Sequence, residues 1–293
     1  MRKYGWLAAV VVVLLGVGGF ALLHVAGAGK SKASTVPVST SRYTLAAGGR
    51  TRGYQVIAPT RGLPASAPVI IVLSGYGATV AEEVSRDQLA PYVSADDAEL
   101  VYPEAVDKSW NAVGCCGYAG DHNVTDGAFL KALVPRVDPG HSRPVYIVGF
   151  SNGARLAYRI ACTDPALFDA YVMVKGVPMP GCVVRRPVTL IEFASVNDPE
   201  IPYRPGVKGL EPLAITTEVT ALHAADRCPD TAYVTQSKDM TLTSWGACAS
   251  GTRLAFAVWP QGKHLWPRPP ITRQAAAPVI WSFLSQQKLA PLP

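Results

Sequence analysis

Short runs of Val, Ile and Leu recur along the chain, each broken by turn residues or by a stretch with helical spacing. Gly53–Ala58 (GYQVIA), Pro68–Leu73 (PVIIVL), Glu99–Tyr102, Pro144–Val148 (PVYIV), Tyr171–Val174, Val188–Phe193 (VTLIEF) and Arg253–Val258 (RLAFAV) read as strands. Helical spacing falls near residues 80–94, 125–136, 153–162, 213–227 and 271–287; in the third of these Leu156, Ala157 and Ile160 recur among polar partners. Near-continuous apolar runs suit strands covered on both faces. Strands that alternate with helices predict an α/β fold with a mostly parallel central sheet and helices on both faces.

The first residues have a different character. Arg2 and Lys3 precede a run from Trp6 to Leu23 with no charged residue, and Ala26-Gly27-Ala28 offers a small-residue cleavage site. Residues 1–28 therefore read as a secretory signal peptide or, uncleaved, as an N-terminal membrane anchor. Residues 29–42, rich in Gly, Ser, Lys and Thr, have linker composition. Residues 43–293 read as one domain. Either reading of the N-terminus puts that domain outside the cytoplasm, secreted or held on the outer face of the membrane.

Composition narrows the picture. The chain has 293 residues, is 49% hydrophobic and only 16% charged, which excludes a disordered chain. Of its net charge of +6, Arg2, Lys3, Lys30, Lys32 and Arg42 supply five, and no acid precedes Glu82. The rest is close to neutral, so no nucleic-acid face is expected. Six cysteines in an exported chain predict three disulfides. Cys228 and Cys248 bracket a short polar segment and form the expected pair. Cys115 and Cys116 are adjacent and are expected to bond elsewhere.

The sharpest chemical signal is Gly149-Phe150-Ser151-Asn152-Gly153. It follows the strand PVYIV directly and opens a helix. A G-x-S-x-G sequence in that context is a nucleophile elbow, a tight turn that presents a serine hydroxyl at the sheet edge. Such a serine needs a base and a group that orients the base, in the chain order Ser, acid, His. Two histidines follow it. His223 lies inside an expected helix; His264 lies in a loop after the strand RLAFAV and is the expected base. The acid belongs after VTLIEF, where Asp198 is favoured over Glu200 and over Glu192 within the strand. The backbone amides of Asn152 and of Tyr76, in the turn Ser74-Gly75-Tyr76-Gly77, are the expected oxyanion hole. Trp110 and Trp266 are expected to line the cleft and bind substrate by stacking. Asp121, His122 and Asp126 are spaced too irregularly for a metal site and read as a solvated loop; no metal or organic cofactor is called for.

Several blocks together resemble the secreted family of polyhydroxybutyrate depolymerases and feruloyl or acetylxylan esterases. They are the Ser74-Gly75 turn, Ser109-Trp110-Asn111 with Cys115-Cys116-Gly117, Val124–Leu133, GFSNGARLAYRIAC at 149–162, Asp198, and His264-Leu265-Trp266-Pro267. The resemblance covers most of residues 50–285. It implies an α/β-hydrolase fold, a Ser151–Asp198–His264 triad and hydrolysis of carboxylic esters from a polyester, an oligomer or the plant cell wall. The chain departs from the family pattern in two places: Ser74-Gly75 stands where the family has His-Gly, and Gly262-Lys263-His264 where it has Gly-Gly-His. Both alter the rim of the site. Gly75-Tyr76 also looks like the oxyanion turn of bacterial cutinase-like polyester hydrolases. The same triad serves peptidases and amidases, and a hydrolase scaffold also occurs in non-catalytic surface binding proteins; these are the alternatives.

Overall fold

The structure is a computed structural model and describes residues 37–93, 98–177, 181–206 and 214–285. The signal or anchor reading of residues 1–28 lies outside the described residues. Among the described residues, no helix is long and apolar enough to cross a membrane.

Ten strands form one sheet: β1 (Val38–Ala47), β2 (Arg50–Pro59), β3 (Val69–Leu73), β4 (Glu99–Pro103), β5 (Val145–Phe150), β6 (Ala170–Val174), β7 (Leu190–Ser195), β8 (Tyr233–Ser237), β9 (Met240–Trp245) and β10 (Leu254–Trp259). Their order is β1-β2-β4-β3-β5-β6-β7-β10-β9-β8. From β4 to β10 all neighbours pair in parallel, and the strands outside them are antiparallel. The helices are α1 (Val80–Asp87), α2 (Ala90–Val93), α3 (Tyr118–Asp121), α4 (Asp126–Val137), α5 (Asn152–Thr163), α6 (Ile215–Ala225) and α7 (Ala276–Ser285). This is the α/β-hydrolase fold.

The apolar runs explain the layering. All five residues of β3 are buried. Val69, Ile71 and Leu73 pack into the core under α4 and α5 with Leu133 and Leu156, while Ile70 and Val72 pack into the core under α7 with Ile280 and Phe283. Period-2 alternation thus feeds two cores from one strand.

Every strand and helix expected from the sequence is present, with three further strands. β1 has almost no buried position, so it carries no apolar rhythm, and its first residues lie in the stretch 29–42 whose composition reads as linker. β8 and β9 form a hairpin in which Thr, Gln and Ser interrupt the apolar residues, so neither strand carries a continuous apolar run. The helix expected over 80–94 is two helices, because Gln88 takes a left-handed conformation (φ 55°) between them. A capping box of Thr79 and Glu82 opens the first.

All six cysteines are paired: Cys228–Cys248 as expected, Cys162–Cys182, and Cys115–Cys116. The last corrects the expectation that adjacent cysteines bond elsewhere. That expectation assumes a trans peptide; the peptide between them is cis, with the Cα atoms 3.1 Å apart.

Glu218 on α6 is buried, and burial pushes its carboxyl up to about 7. The unfolded chain releases this proton near the ordinary glutamate value of about 4.3. Between those values the unfolded state binds fewer protons than the folded one, so this group's contribution to stability is lost as pH rises toward 7. Glu218→Gln removes that loss. Urea unfolding at pH 5 and pH 8 should show the variant gaining about 2–3 kcal/mol on wild type over the interval; an equal difference at both values would show that Glu218 ionises normally.

Candidate active site

The three residues chosen from the sequence come from the carboxyl ends of three parallel strands. Ser151 follows β5, Asp198 follows β7 and His264 follows β10. β7 and β10 are paired neighbours, with Ser195 opposite Trp259, and the Val196 amide donates to the Trp259 carbonyl at 2.9 Å. The acid loop and the base loop therefore leave the sheet side by side.

Ser151 sits in a strained turn with φ 52° and ψ −113°. The flanking glycines make that turn possible. A Cβ on Gly149 would lie 2.5 Å from the Ala154 nitrogen, and one on Gly153 would lie 2.6 Å from the carbonyl oxygens of Leu73 and Ser74. Only glycine fits where the elbow folds back on α5 and on the end of β3.

The side chains form one continuous relay. Ser151 Oγ lies 2.7 Å from His264 Nε2, and His264 Nδ1 lies 2.9 Å from Asp198 Oδ2. Asp198 Oδ1 accepts from the amides of Glu200 (2.9 Å) and Ile201 (3.0 Å). Burial raises the Asp198 pKa, but the His264 hydrogen bond and charge together with those two amides outweigh it, and the carboxyl sits below its usual range. His223 lies away from this cluster, its ring against Trp245 and its Nε2 3.1 Å from the Pro229 carbonyl. Glu200 places Oε2 3.6 Å from His264 Nε2, on the serine side of the ring and not on the Nδ1 side that an orienting acid needs.

Around the triad lies a cleft of about 370 Å³ lined by Tyr76, Phe150, Leu265 and Trp266, with Arg86 and Arg268 at its rim. In the turn after β3 the Gly75 amide donates to Glu83 Oε2 (3.3 Å) and the Gly77 amide to the Lys108 carbonyl (2.8 Å). Among the described residues none accepts from the Tyr76 amide between them. The Tyr76 ring rests on Gly117, where a Cβ would lie 2.4 Å from it.

Trp110 corrects an expectation. It has no exposed surface, so it offers no stacking face to a ligand. Its indole donates to the Ser74 carbonyl (2.9 Å), and its backbone exchanges two hydrogen bonds with the Asn152 side chain (2.8 and 3.0 Å). It is the post that ties the elbow to the turn carrying Tyr76. Trp266 borders the cleft, edge-on to Phe150, but is itself only 2% exposed, so it backs the wall and presents little ring face to a ligand. Asp126 is not part of a solvated loop: it is buried, pairs with Arg52 at 2.5 Å and accepts from the Asn111 amide at 2.7 Å. Asp121 and His122 are exposed.

One residue escaped the sequence reading. Lys175, at the end of β6, is fully buried; its ammonium donates to Ser195 Oγ at 2.5 Å and to the Lys263 carbonyl. Ser195 Oγ also donates to the Gln261 carbonyl (3.2 Å). Lys175 thereby joins the strand before Asp198 to the loop that carries His264. Burial draws its pKa down to about 8, against the pull of Asp198. The visible signal was a lone lysine closing the apolar run AYVMV.

No family model matches the chain. Its similarity to individual proteins is clear. It is 30% identical over 260 residues to NocK of Nocardia uniformis subsp. tsuyamanensis, named as an esterase, covering 78% of this chain and 74% of that protein. It is 25% identical over 211 residues to feruloyl esterase C of Emericella nidulans, covering 68% and 73%. In three dimensions it matches the acetyl xylan esterase of Aspergillus awamori with a TM-score of 0.53 at 13% identity, over 78% of this chain and 96% of that one. The elbow, the sheet and these relatives agree: the chain belongs to the esterase family of α/β-hydrolase fold that resembles the feruloyl and acetylxylan esterases, and is a carboxylic ester hydrolase.

Proposed function

We propose that the protein is an exported serine esterase acting through Ser151, His264 and Asp198. The observation that carries this reading is the unbroken Ser151–His264–Asp198 relay at 2.7 and 2.9 Å. Asp198 holds the tautomer with the proton on Nδ1, which leaves Nε2 free to accept from the serine hydroxyl. Ser151 Oγ attacks the ester carbonyl as its proton passes to His264. The amides of Tyr76 and Asn152, at the positive end of α5, hold the tetrahedral oxyanion. Collapse expels the alcohol, which takes the proton from His264. Water, deprotonated by the same imidazole, then cleaves the acyl-enzyme. Every step draws on this chain's own residues. Three disulfides favour an oxidising compartment, in keeping with the signal or anchor read in residues 1–28.

The exposed Tyr76 ring, with Leu265 also lining the cleft, suits a flat aromatic acyl group of the feruloyl type. A hydrolysis screen of feruloyl sugars, acetylated xylan, hydroxybutyrate oligomers and short p-nitrophenyl esters tests this. The highest kcat/KM is expected on feruloyl esters, with matched amides untouched. Turnover of hydroxybutyrate oligomers in preference to feruloyl esters would assign a polyester substrate instead.

A further inference from the structure

Helix α5 is buried along most of its length, and its outward face is a single stripe. Ser151, Arg155, Arg159 and Thr163 are the positions four apart that reach solvent, while Ala154, Leu156, Ala157, Tyr158, Ile160 and Ala161 between them are buried. Residues four apart lie one above the other on a helix. At 1.5 Å per residue, Arg155 and Arg159 stand about 6 Å and about 12 Å along the axis from the serine.

Arg155, Arg159 and Thr163 of that stripe form the floor of a second cavity of about 380 Å³, while Ser151, one turn before Arg155, lines the aromatic cleft. Val113 forms part of one wall; Val183 and Arg185 form part of the other. The second wall is fastened to the floor by the Cys162–Cys182 disulfide. On the first side, the Asn152 side chain fixes the strand of chain around Trp110 to the helix. The trough therefore exists before any ligand arrives. Among the described residues that line it are three arginines and no carboxylate. Arg159 donates to the Asn111 carbonyl, a neutral acceptor, at 2.8 Å. Burial lowers the Arg155 pKa, with the charge of Glu200 as the opposing influence. Glu200 lines the cleft beside the triad, so Arg155 lies within electrostatic reach of that cleft.

We infer that this trough is the subsite for the alcohol portion of the substrate, and that it selects alcohols bearing a carboxylate within reach of Arg155, Arg159 and Arg185. The inference rests on Ser151 being the nucleophile and extends that reading to the substrate class: the acyl group occupies the aromatic cleft, and an acidic leaving group lies along α5. Guanidinium pairs with carboxylates through two parallel hydrogen bonds, and such a contact in a partly dry trough discriminates by about tenfold or more.

The test compares butyryl esters of ω-hydroxyhexanoic and ω-hydroxydodecanoic acids with the same esters capped as neutral N-methylamides, following release of butyrate. At low ionic strength one carboxylated ester of the pair should exceed its capped form in kcat/KM about tenfold, mostly through KM. The ratio should shrink toward parity as salt rises, and also in Arg155→Gln with Arg159→Gln. Taking the ratio on each variant cancels any general loss of activity, and the salt series on wild type stands even if the double variant fails to fold. Turnover of p-nitrophenyl butyrate reports separately on Ser151. With that turnover present, equal rates on acidic and capped alcohols would overturn the subsite. So would a preference for carboxylate on the acyl side only, or a ratio unchanged by removal of both arginines.

Discussion

Ser151→Ala is expected to leave a folded protein whose ester hydrolysis is lower by about 10⁴-fold or more. The size follows from what is removed. Without Oγ no acyl-enzyme forms, and His264 Nε2 loses the hydroxyl it addresses at 2.7 Å. What remains is substrate binding and an oxyanion hole around a general base. The fold should not change, because the elbow does not depend on the hydroxyl. Its unusual backbone at φ 52° is held by the close approach of Gly149 and Gly153 to their neighbours, and alanine keeps the Cβ that serine already places there. Initial rates on p-nitrophenyl butyrate, paired with a thermal melt of each protein, check both halves. A variant that keeps a tenth of wild-type kcat/KM would mean that another group is the nucleophile.

The sequence exposed those parts of the molecule whose constraints are local or repeat along the chain. Strands such as Val69–Leu73 are legible because both of their faces are buried, which leaves no polar position to blur the run. The elbow is legible because its geometry demands glycine on both sides of one serine. The positions of Asp198 and His264 follow from topology: in a parallel sheet, the loops at the carboxyl ends of the strands converge on one edge.

Features that depend on a distant partner were not legible. Trp110 and Trp266 look alike in the sequence, yet only Trp266 reaches the cleft. The difference is the Asn152 side chain, 42 residues from Trp110, which pins its backbone under the elbow. Lys175 reads as a surface charge until the base loop closes over it and its ammonium meets Ser195 and the Lys263 carbonyl. The edge strand Val38–Ala47 gains its order from pairing with Arg50–Pro59 and not from burial, so no apolar pattern announces it. The Cys115–Cys116 bridge joins chain neighbours, a pairing that cysteine spacing does not announce.

Asp198→Asn is expected to lower kcat by about 10⁴-fold, while Glu200→Gln should change it less than about tenfold. The two acids are neighbours in sequence and both approach His264, so the contrast tests the geometry and not the charge alone. In the wild type, Asp198 Oδ1 faces the amides of Glu200 and Ile201, and Oδ2 faces His264 Nδ1 at 2.9 Å. An asparagine has one acceptor end. The two amide donors hold that carbonyl oxygen, which turns the NH₂ group toward the imidazole. An NH₂ donor opposite Nδ1 favours the tautomer with its proton on Nε2, and that nitrogen can then no longer accept from Ser151. Glu200 meets His264 only at Nε2, at 3.6 Å and from solvent, where it neither fixes the tautomer nor holds the ring. Its loss removes an exposed charge near the imidazolium, a small effect in water. Single-turnover acylation rates for the two variants, measured beside wild type, make the comparison free of product release. Near-normal acylation in Asp198→Asn with a collapse in Glu200→Gln would show that the orienting acid is Glu200 and that the relay drawn through Asp198 is wrong.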